Sequence, residues 1–372
     1  MKIPNKILKR FLLISLFLSV RIFAQFSNVA DSLIRKGIDE IYSMKFVEAY
    51  ATFDELKRLE PKNPAGKFFD AMTLWWQILV DLRQTRFDEL FYSKLDDVIE
   101  QCDEILDDDP NNYVGLFFKA GALGFRGRLL SIRQEWLDAA LDGKDALPLV
   151  LRVSELYPDD VDIKLGTGLY NYFAVVIPKV YPFVKPLMTL FPPGDKELGL
   201  RQLTAVADSG KYAKYETQYF LVQLYFEFEK NNERALYYVN RLIKKFPDNP
   251  KFENFLARIY FRTRQFEKAD SIFHSIKSKI AAEKTGYDTK TNIRSTYYYL
   301  GAIAYRNFGK TDEAIDYFKR SLAVSDEIDG EDYSGFMRHT YKYLIKLYRR
   351  KGNKAEAKRY EDLLEERFDE KL

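Results

Sequence analysis

One cysteine and two histidines among 372 residues leave little material for disulfides, metal clusters or acid–base chemistry. Cys102 has no second cysteine to pair with. It falls among Leu95, Val98, Ile99, Ile105 and Leu106 at helical spacing, which reads as a small buried hydrophobe, with a reactive thiol as the alternative. Thirteen Pro and 18 Gly are too few for a collagen-like or low-complexity chain, and 47% hydrophobic residues exclude a chain too polar to fold. Strand-type alternation of apolar and polar residues is scarce. What the sequence has in quantity is aromatic: 29 Phe and 26 Tyr.

Long apolar runs are also missing, with one short exception at the start. Lys2, Lys6, Lys9 and Arg10 precede the ten-residue run Phe11–Val20, and Ala24 follows shortly after. This is the layout of a secretory signal peptide over residues 1–24. The run is too short for a bilayer, which needs about 20 apolar residues. Arg21 is irregular at that place, so an uncleaved, membrane-tethered form stays open beside the cleaved one. An exported protein of a periplasm or cell envelope is expected. The leader holds five of the 58 basic residues and none of the 55 acidic ones, so the remainder has a net charge of −2. A global electrostatic footprint for nucleic acid is therefore absent, and no nucleic-acid partner is expected.

A phrase recurs along the chain: a helix with a small residue, then an aromatic or polar start, Ala, a second apolar-periodic stretch, and a Pro-containing turn. Phe46, Ala49, Phe53, Leu56 and Pro61 carry one copy. Ala235, Val239, Leu242 and Pro247 carry another. Phe266, Ala269, Phe273 and Ile276 follow, then Ala314, Phe318 and Leu322, then Ala357 and Leu364. Ala235 and Ala269 stand 34 residues apart. The upstream helix reads most clearly at Tyr299-Leu300-Gly301-Ala302-Ile303-Ala304-Tyr305. Within each stretch apolar residues repeat at i, i+3, i+4 and i+7. This resembles the tetratricopeptide repeat family, with clear copies over about 30–63 and 214–370 and lengthened, degenerate ones between. The copy at 295–322 carries one extra residue between Gly301 and Ala314. The resemblance implies an all-α, TPR-type alpha-alpha superhelix of about seven or eight helical pairs, since a single pair cannot bury its own face. The chain divides into the leader 1–24, irregular repeats over 25–213, and a regular array over 214–372.

Two regions attract attention as sites. The first is the hydrophobic, Pro-rich insertion 174–193, where Pro178, Pro182 and Pro186 recur every four residues and disfavour an unbroken helix. It is flanked by Gly166-Thr167-Gly168-Leu169-Tyr170-Asn171 and by Gly194-Asp195-Lys196-Glu197-Leu198-Gly199-Leu200. This arrangement is similar to a motif of the helical-repeat family of eukaryotic inclusion-body-clearance proteins, which are linked to membranes and lipid bodies; what carries over is architecture only. A segment this apolar either packs over a gap in the solenoid or docks on a partner or membrane. The second region is the concave face. The tetratricopeptide resemblance implies that first-helix positions Asn254, Arg258 and Arg262, then Tyr298, Tyr305 and Arg306, then His339, Lys342, Lys346 and Arg350 look into the groove. Arg258–Arg262 and Lys342–Lys346–Arg350 share helix faces at four-residue spacing. A cationic stripe of this kind suits a protein or extended peptide, acidic in part; a solvated, partly paired face is the alternative.

Signals of catalysis are poor. His274 reads as packing or surface, and no Ser or Cys is placed with either His by a motif. The Gly121-Gly124-Gly127 run lacks phosphate-loop spacing and suits helix crossings. Asp107-Asp108-Asp109-Pro110 lacks the ligand spacing of a calcium loop and reads as an inter-repeat turn. No cofactor and no metal is called for. The sequence reading is thus a non-enzymatic exported scaffold that binds a protein or peptide on its concave face. The alternative is a membrane-associated envelope protein contacting lipid or a membrane protein through 174–193.

Overall fold

The computed structural model describes residues 26–189, 191–330 and 333–371; the leader expected at 1–24 lies outside them. Among the described residues there is no strand, and the helices fall into eight antiparallel pairs. These are α1 (Asn28–Tyr42) with α2 (Phe46–Leu59), α3 (Ala65–Val80) with α4 (Asp88–Asp108), and α5 (Tyr113–Ile132) with α6 (Trp136–Leu156). Next come α7 (Lys164–Val180), the short α8 (Lys185–Met188), and α9 (Lys196–Ser209), the last of which packs back on α7. The array continues as α10 (Lys214–Gln223) with α11 (Asn232–Lys245), α12 (Pro250–Arg262) with α13 (Phe266–Ala281), α14 (Lys290–Arg306) with α15 (Thr311–Ile328), and α16 (Gly335–Arg350) with α17 (Lys354–Phe368). The expected superhelix of seven or eight pairs is what forms. The helices α4, α5 and α6, at 20 or 21 residues, are the lengthened ones.

Local chemistry explains the boundaries. Short polar side chains at N-caps take up free amide hydrogens: Asn112 Oδ1 accepts from the Val114 and Gly115 amides at 3.0 and 3.2 Å, and Asn353 Oδ1 accepts from Glu356 N at 3.1 Å. The Asp109–Asn112 stretch is the expected inter-repeat turn, with Asn112 N bonded to the Asp109 carbonyl. Within the pairs, small residues sit under large ones. A Cβ on Gly37 would lie 2.2 Å from the Phe53 ring, and one on Gly301 would lie 3.0 Å from Phe318. Gly37 and Phe53 are 16 residues apart, Gly301 and Phe318 17. The additional residue is absorbed by the turn Asn307–Lys310, where Gly309 takes φ +62°.

The main apolar core runs unbroken from Phe26 to Ile259, through Trp75, Trp76, Tyr219 and Phe252, and two smaller cores continue it to Leu364. Cys102 lies in the first, wholly buried, and burial pushes its thiol up to about 12. The inert reading of this residue is the one the structure supports.

The insertion is, as expected, no unbroken helix: α7 ends at Val180 and Tyr181 is non-helical. Pro178 lies inside α7, two residues from its end, at the cost of the hydrogen bond its amide would have donated to the Ala174 carbonyl. The turn Pro182–Val184 is 3₁₀ and α8 begins with Pro186 in its first turn, so 174–188 is helical for most of its length. The segment both packs and protrudes: Val176 and Val184 are buried, while Phe183 is 60% exposed.

Candidate functional site

The stack curls far enough to touch itself. The Tyr42 ring at the end of α1 stacks on Phe246, at 5.4 Å between centroids, and Asn249 Nδ2 donates to the Tyr42 carbonyl at 2.9 Å. Lys245 reaches Asp39 at 2.7 Å. Just after α3, Asp81 accepts from Thr291 Oγ1 at 3.0 Å, and Arg83 pairs with the buried Asp329 at 2.7 Å. Asp329 also holds Arg294. Helices α1 and α3 are thereby fastened to α12, α14 and α15.

This closure turns the concave groove into a hollow of about 1730 Å³, lined mainly by the first helix of each pair. One part of the lining is apolar and comes from the insertion and the residue before it: Phe173, Ile177, Val180, Phe183, Val184 and Leu187. Another part of the lining is polar and cationic, with Arg128, Lys251, Asn254, Arg258, Arg294 and Ser295. A smaller cavity of about 190 Å³ lies inside the N-terminal pairs among Phe68, Met72, Gly124 and Phe125. Gly124 faces that open space, whereas Gly121 and Gly127 do close helix contacts against Phe68 and Ala139.

Most of the arginines in the hollow are committed to carboxylates. Glu216 of α10 is a buried hub: it accepts from Tyr42 Oη at 2.7 Å, Trp76 Nε1 at 3.3 Å and Arg128 at 2.9 Å. Arg128 also lies over the Phe220 ring at 4.0 Å. Arg258 pairs with Glu227 at 2.8 Å. The helix α10 ends in a π turn, Leu224–Phe228, which brings Glu227 and Phe228 to the hollow and leaves the Phe226 carbonyl to accept from Arg262. Lys251 is different. Among the described residues no carboxylate stands within ion-pair distance of its amine. Burial pulls its pKa down to about 8, helped by repulsion from Arg258 and Arg128, against an opposing attraction from Asp81.

The ten residues assigned to the groove scatter. Asn254 and Arg258 line the hollow, Asn254 donating to Ser295 Oγ at 3.0 Å. Arg262 is spent on Phe226 and Glu227. Tyr298 is packed edge-on against Phe336 at 5.1 Å, Tyr305 against Tyr343 at 5.7 Å, and Arg306 donates to Tyr343 Oη. These three serve the α14–α16 packing. His339 is exposed, with Nδ1 2.7 Å from the Gly335 carbonyl of its own helix. Lys342 is held by Glu370. Lys346 and Arg350 are exposed, and among the described residues neither has an ion-pair partner. The continuous cationic stripe is therefore not what the structure presents: it is interrupted by internal pairs, as carboxylates on neighbouring helices fall where the spacing of a single helix could not reveal them. Lys251, which sequence reasoning missed, sits at the second position of α12; its signal was its place three residues before Asn254, at the spacing that puts both on one helix face.

His274 stays on its own helix, 3.4 Å from Asp270, and among the described residues no group of three or more His, Cys, Asp and Glu side chains is placed to hold a metal. No helix is long and apolar enough to cross a membrane, again among the described residues.

The two glycine motifs around the insertion have a structural role. A Cβ on Gly199 would lie 2.7 Å from both Gly168 O and Tyr172 N, and one on Gly194 would lie 2.7 Å from Asn171 O. Asn171 donates to Gln202 at 3.0 Å and accepts from Asp195 N at 3.3 Å, while Asp195 caps α9 through Leu198 N at 3.0 Å. The motif is the lock of the α7–α9 crossing.

Comparison with known proteins agrees with the repeat reading. The tetratricopeptide repeat family model matches residues 295–323, the copy carried by α14 and α15. No curated protein matches the chain. Among solved structures, the C-terminal part of a TPR repeat-containing protein from Cytophaga hutchinsonii is similar at 14% identity over 90% of this chain and 95% of that one, with a TM-score of 0.37. A tetratricopeptide repeat protein from Parabacteroides merdae is similar at 15% identity over 86% and 99%, with a TM-score of 0.35. A human IFIT1 dimer with m7Gppp-AAAA is similar at 13% identity over 86% and 68%, with a TM-score of 0.43.

Proposed function

Because the chain carries a tetratricopeptide repeat at 295–323 and folds as an all-α solenoid of stacked helical pairs, we propose that it is a non-catalytic scaffold, exported to the periplasm or cell envelope, that holds a protein or extended peptide on its concave side. The observation that carries this reading is the hollow of about 1730 Å³, larger than the roughly 300–1,000 Å³ of ordinary small-molecule sites and furnished with one apolar and one cationic wall. A partner with apolar anchors and an acidic segment matches both walls. Outside the hollow, Lys346 and Arg350 stand free on α16 to steer such a segment. Crosslinking of the tagged protein in its native envelope, followed by identification of the attached chain, tests the scaffold. The double reversal Lys346→Glu and Arg350→Glu is expected to weaken capture at least tenfold while leaving the fold intact; unchanged capture would remove the acidic partner from the reading. Fractionation and N-terminal sequencing of the mature chain test export.

A second reading rests on the rim of the insertion. Trp136 packs on Tyr181 and Phe183, each at 5.4 Å, next to the exposed Leu137 and Leu141. Exposed aromatic and aliphatic groups beside Lys179 and Lys185 suit a membrane interface. Liposome flotation of the protein and of Phe183→Glu decides it: no flotation of the parent protein ends this alternative.

A further inference from the structure

The interior wall of the hollow carries one cation too many. Arg128 and Arg258 each have a carboxylate, Glu216 and Glu227. Arg294 has Asp329. Lys251 has none within ion-pair distance among the described residues, and Asp81, the carboxylate that acts on it through space, is already occupied by the Thr291 hydroxyl. Burial and two neighbouring guanidinium groups are the conditions under which a lysine sheds its proton or gains a counter-ion. Nearby donors are also unspent: Arg258 Nε and Arg294 Nε are buried with no acceptor. Lys251 also sits in the first turn of α12, where the helix dipole opposes a cation and favours an anion. The same hollow is lined by the apolar side chains of Phe173, Ile177 and Val184.

We propose that the hollow is a receptor for an amphiphilic anion, with the negatively charged head group against Lys251 and the apolar body on the insertion wall. The head group supplies the counter-charge that Lys251 lacks, in a place shielded enough for a charge-assisted hydrogen bond to outweigh competition from water. The Asn254 and Ser295 side chains on the same wall orient it. The site goes beyond the scaffold reading and stands whether or not a protein partner exists.

Calorimetric titration of the purified protein at pH 7 with dodecanoate, below its micelle concentration, is the test, with dodecanol as the uncharged probe and inorganic phosphate as the probe without an apolar body. Dodecanoate is expected to bind one-to-one and at least tenfold more tightly than dodecanol. Lys251→Met should lose at least tenfold, Lys251→Arg should stay within about threefold, and Lys346→Glu, outside the hollow, should bind as the parent does. Phosphate binding that also depends on Lys251, in the absence of dodecanoate binding, would keep the anion site and overturn the amphiphile. Dodecanoate binding indifferent to Lys251→Met, or no binding of either anion, would overturn the proposal. Melting curves of each variant establish that it is folded.

Discussion

Lys251 shows how one side chain can be costly where it stands. Its folded-state pKa lies near 8, below the ordinary 10.5. Between those values the unfolded chain holds a proton that the folded chain has released, so stability rises with pH through this window; below 8 the charged amine is carried at its full cost. Lys251→Met is therefore expected to stabilise the ligand-free protein at pH 7 by roughly 1–3 kcal/mol, after allowance for solvent in the hollow. The gain should shrink between pH 8 and 10.5. Urea midpoints at pH 7 and pH 10 check it, and an equal offset at both would contradict the assignment. Glu216 has the opposite character. Removing it strands Arg128 and leaves Tyr42 and Trp76 without their acceptor, so Glu216→Ala should cost about 3–5 kcal/mol in the same assay. Neither role was legible beforehand. Glu216 comes 174 residues after Tyr42 and 88 after Arg128, and no local pattern marks a residue as the meeting point of four helices.

At the scale of the element, the turn inside six of the eight pairs follows one rule. Met44, Gln134, Lys230, Arg264, Gly309 and Gly352 each take positive φ between the two helices of a pair. Only two of the six are glycine, the residue that takes this conformation without strain. Arg264→Gly is expected to raise stability by about 0.5–1 kcal/mol, and Gly352→Ala to lower it by a similar amount; thermal melts of the two variants should move in opposite directions. The α7–α9 crossing leaves no such freedom. Gly199→Ala places a methyl group against two backbone atoms and should cost about 1–3 kcal/mol, with increased amide exchange in α9. The order of the glycine motif was visible in the sequence, but its purpose was not, because a close approach between helices is a property of two segments. Pro178 gives the converse lesson. Its spacing with Pro182 and Pro186 predicts a break, and the break falls at Tyr181, where α7 gives way to the 3₁₀ turn Pro182–Val184.

For the molecule as a whole, closure of the superhelix matters most. Thr291 on Asp81 and Arg83 on Asp329 hold the end of α3 against α14 and α15. Replacing both donors, Thr291→Val with Arg83→Met, is expected to raise amide exchange over 286–294 and 80–86 by at least tenfold while helix content by circular dichroism stays unchanged. Exchange confined to parental levels would mean that the contacts of α1, through Tyr42 and Asp39, keep the hollow shut. The same closure explains why the groove residues scattered. A stripe along one first helix faces the hollow only where the stack curves around it, so Asn254 and Arg258 arrive there and Lys342, Lys346 and Arg350 of the last pair do not.

Periodicity along the chain determined the helices, their pairing and the approximate number of repeats, because each of these depends on contacts between residues within about 34 positions of one another. The burial of Cys102 was equally readable, since one helix face decides it. Where the concave cations point, which of them a carboxylate neutralises, and that a lysine is left over depend on contacts such as those of Arg128 and Arg83, with residues 88 and 246 positions away. Those distances are set by the accumulated curvature of eight pairs, which no single repeat encodes.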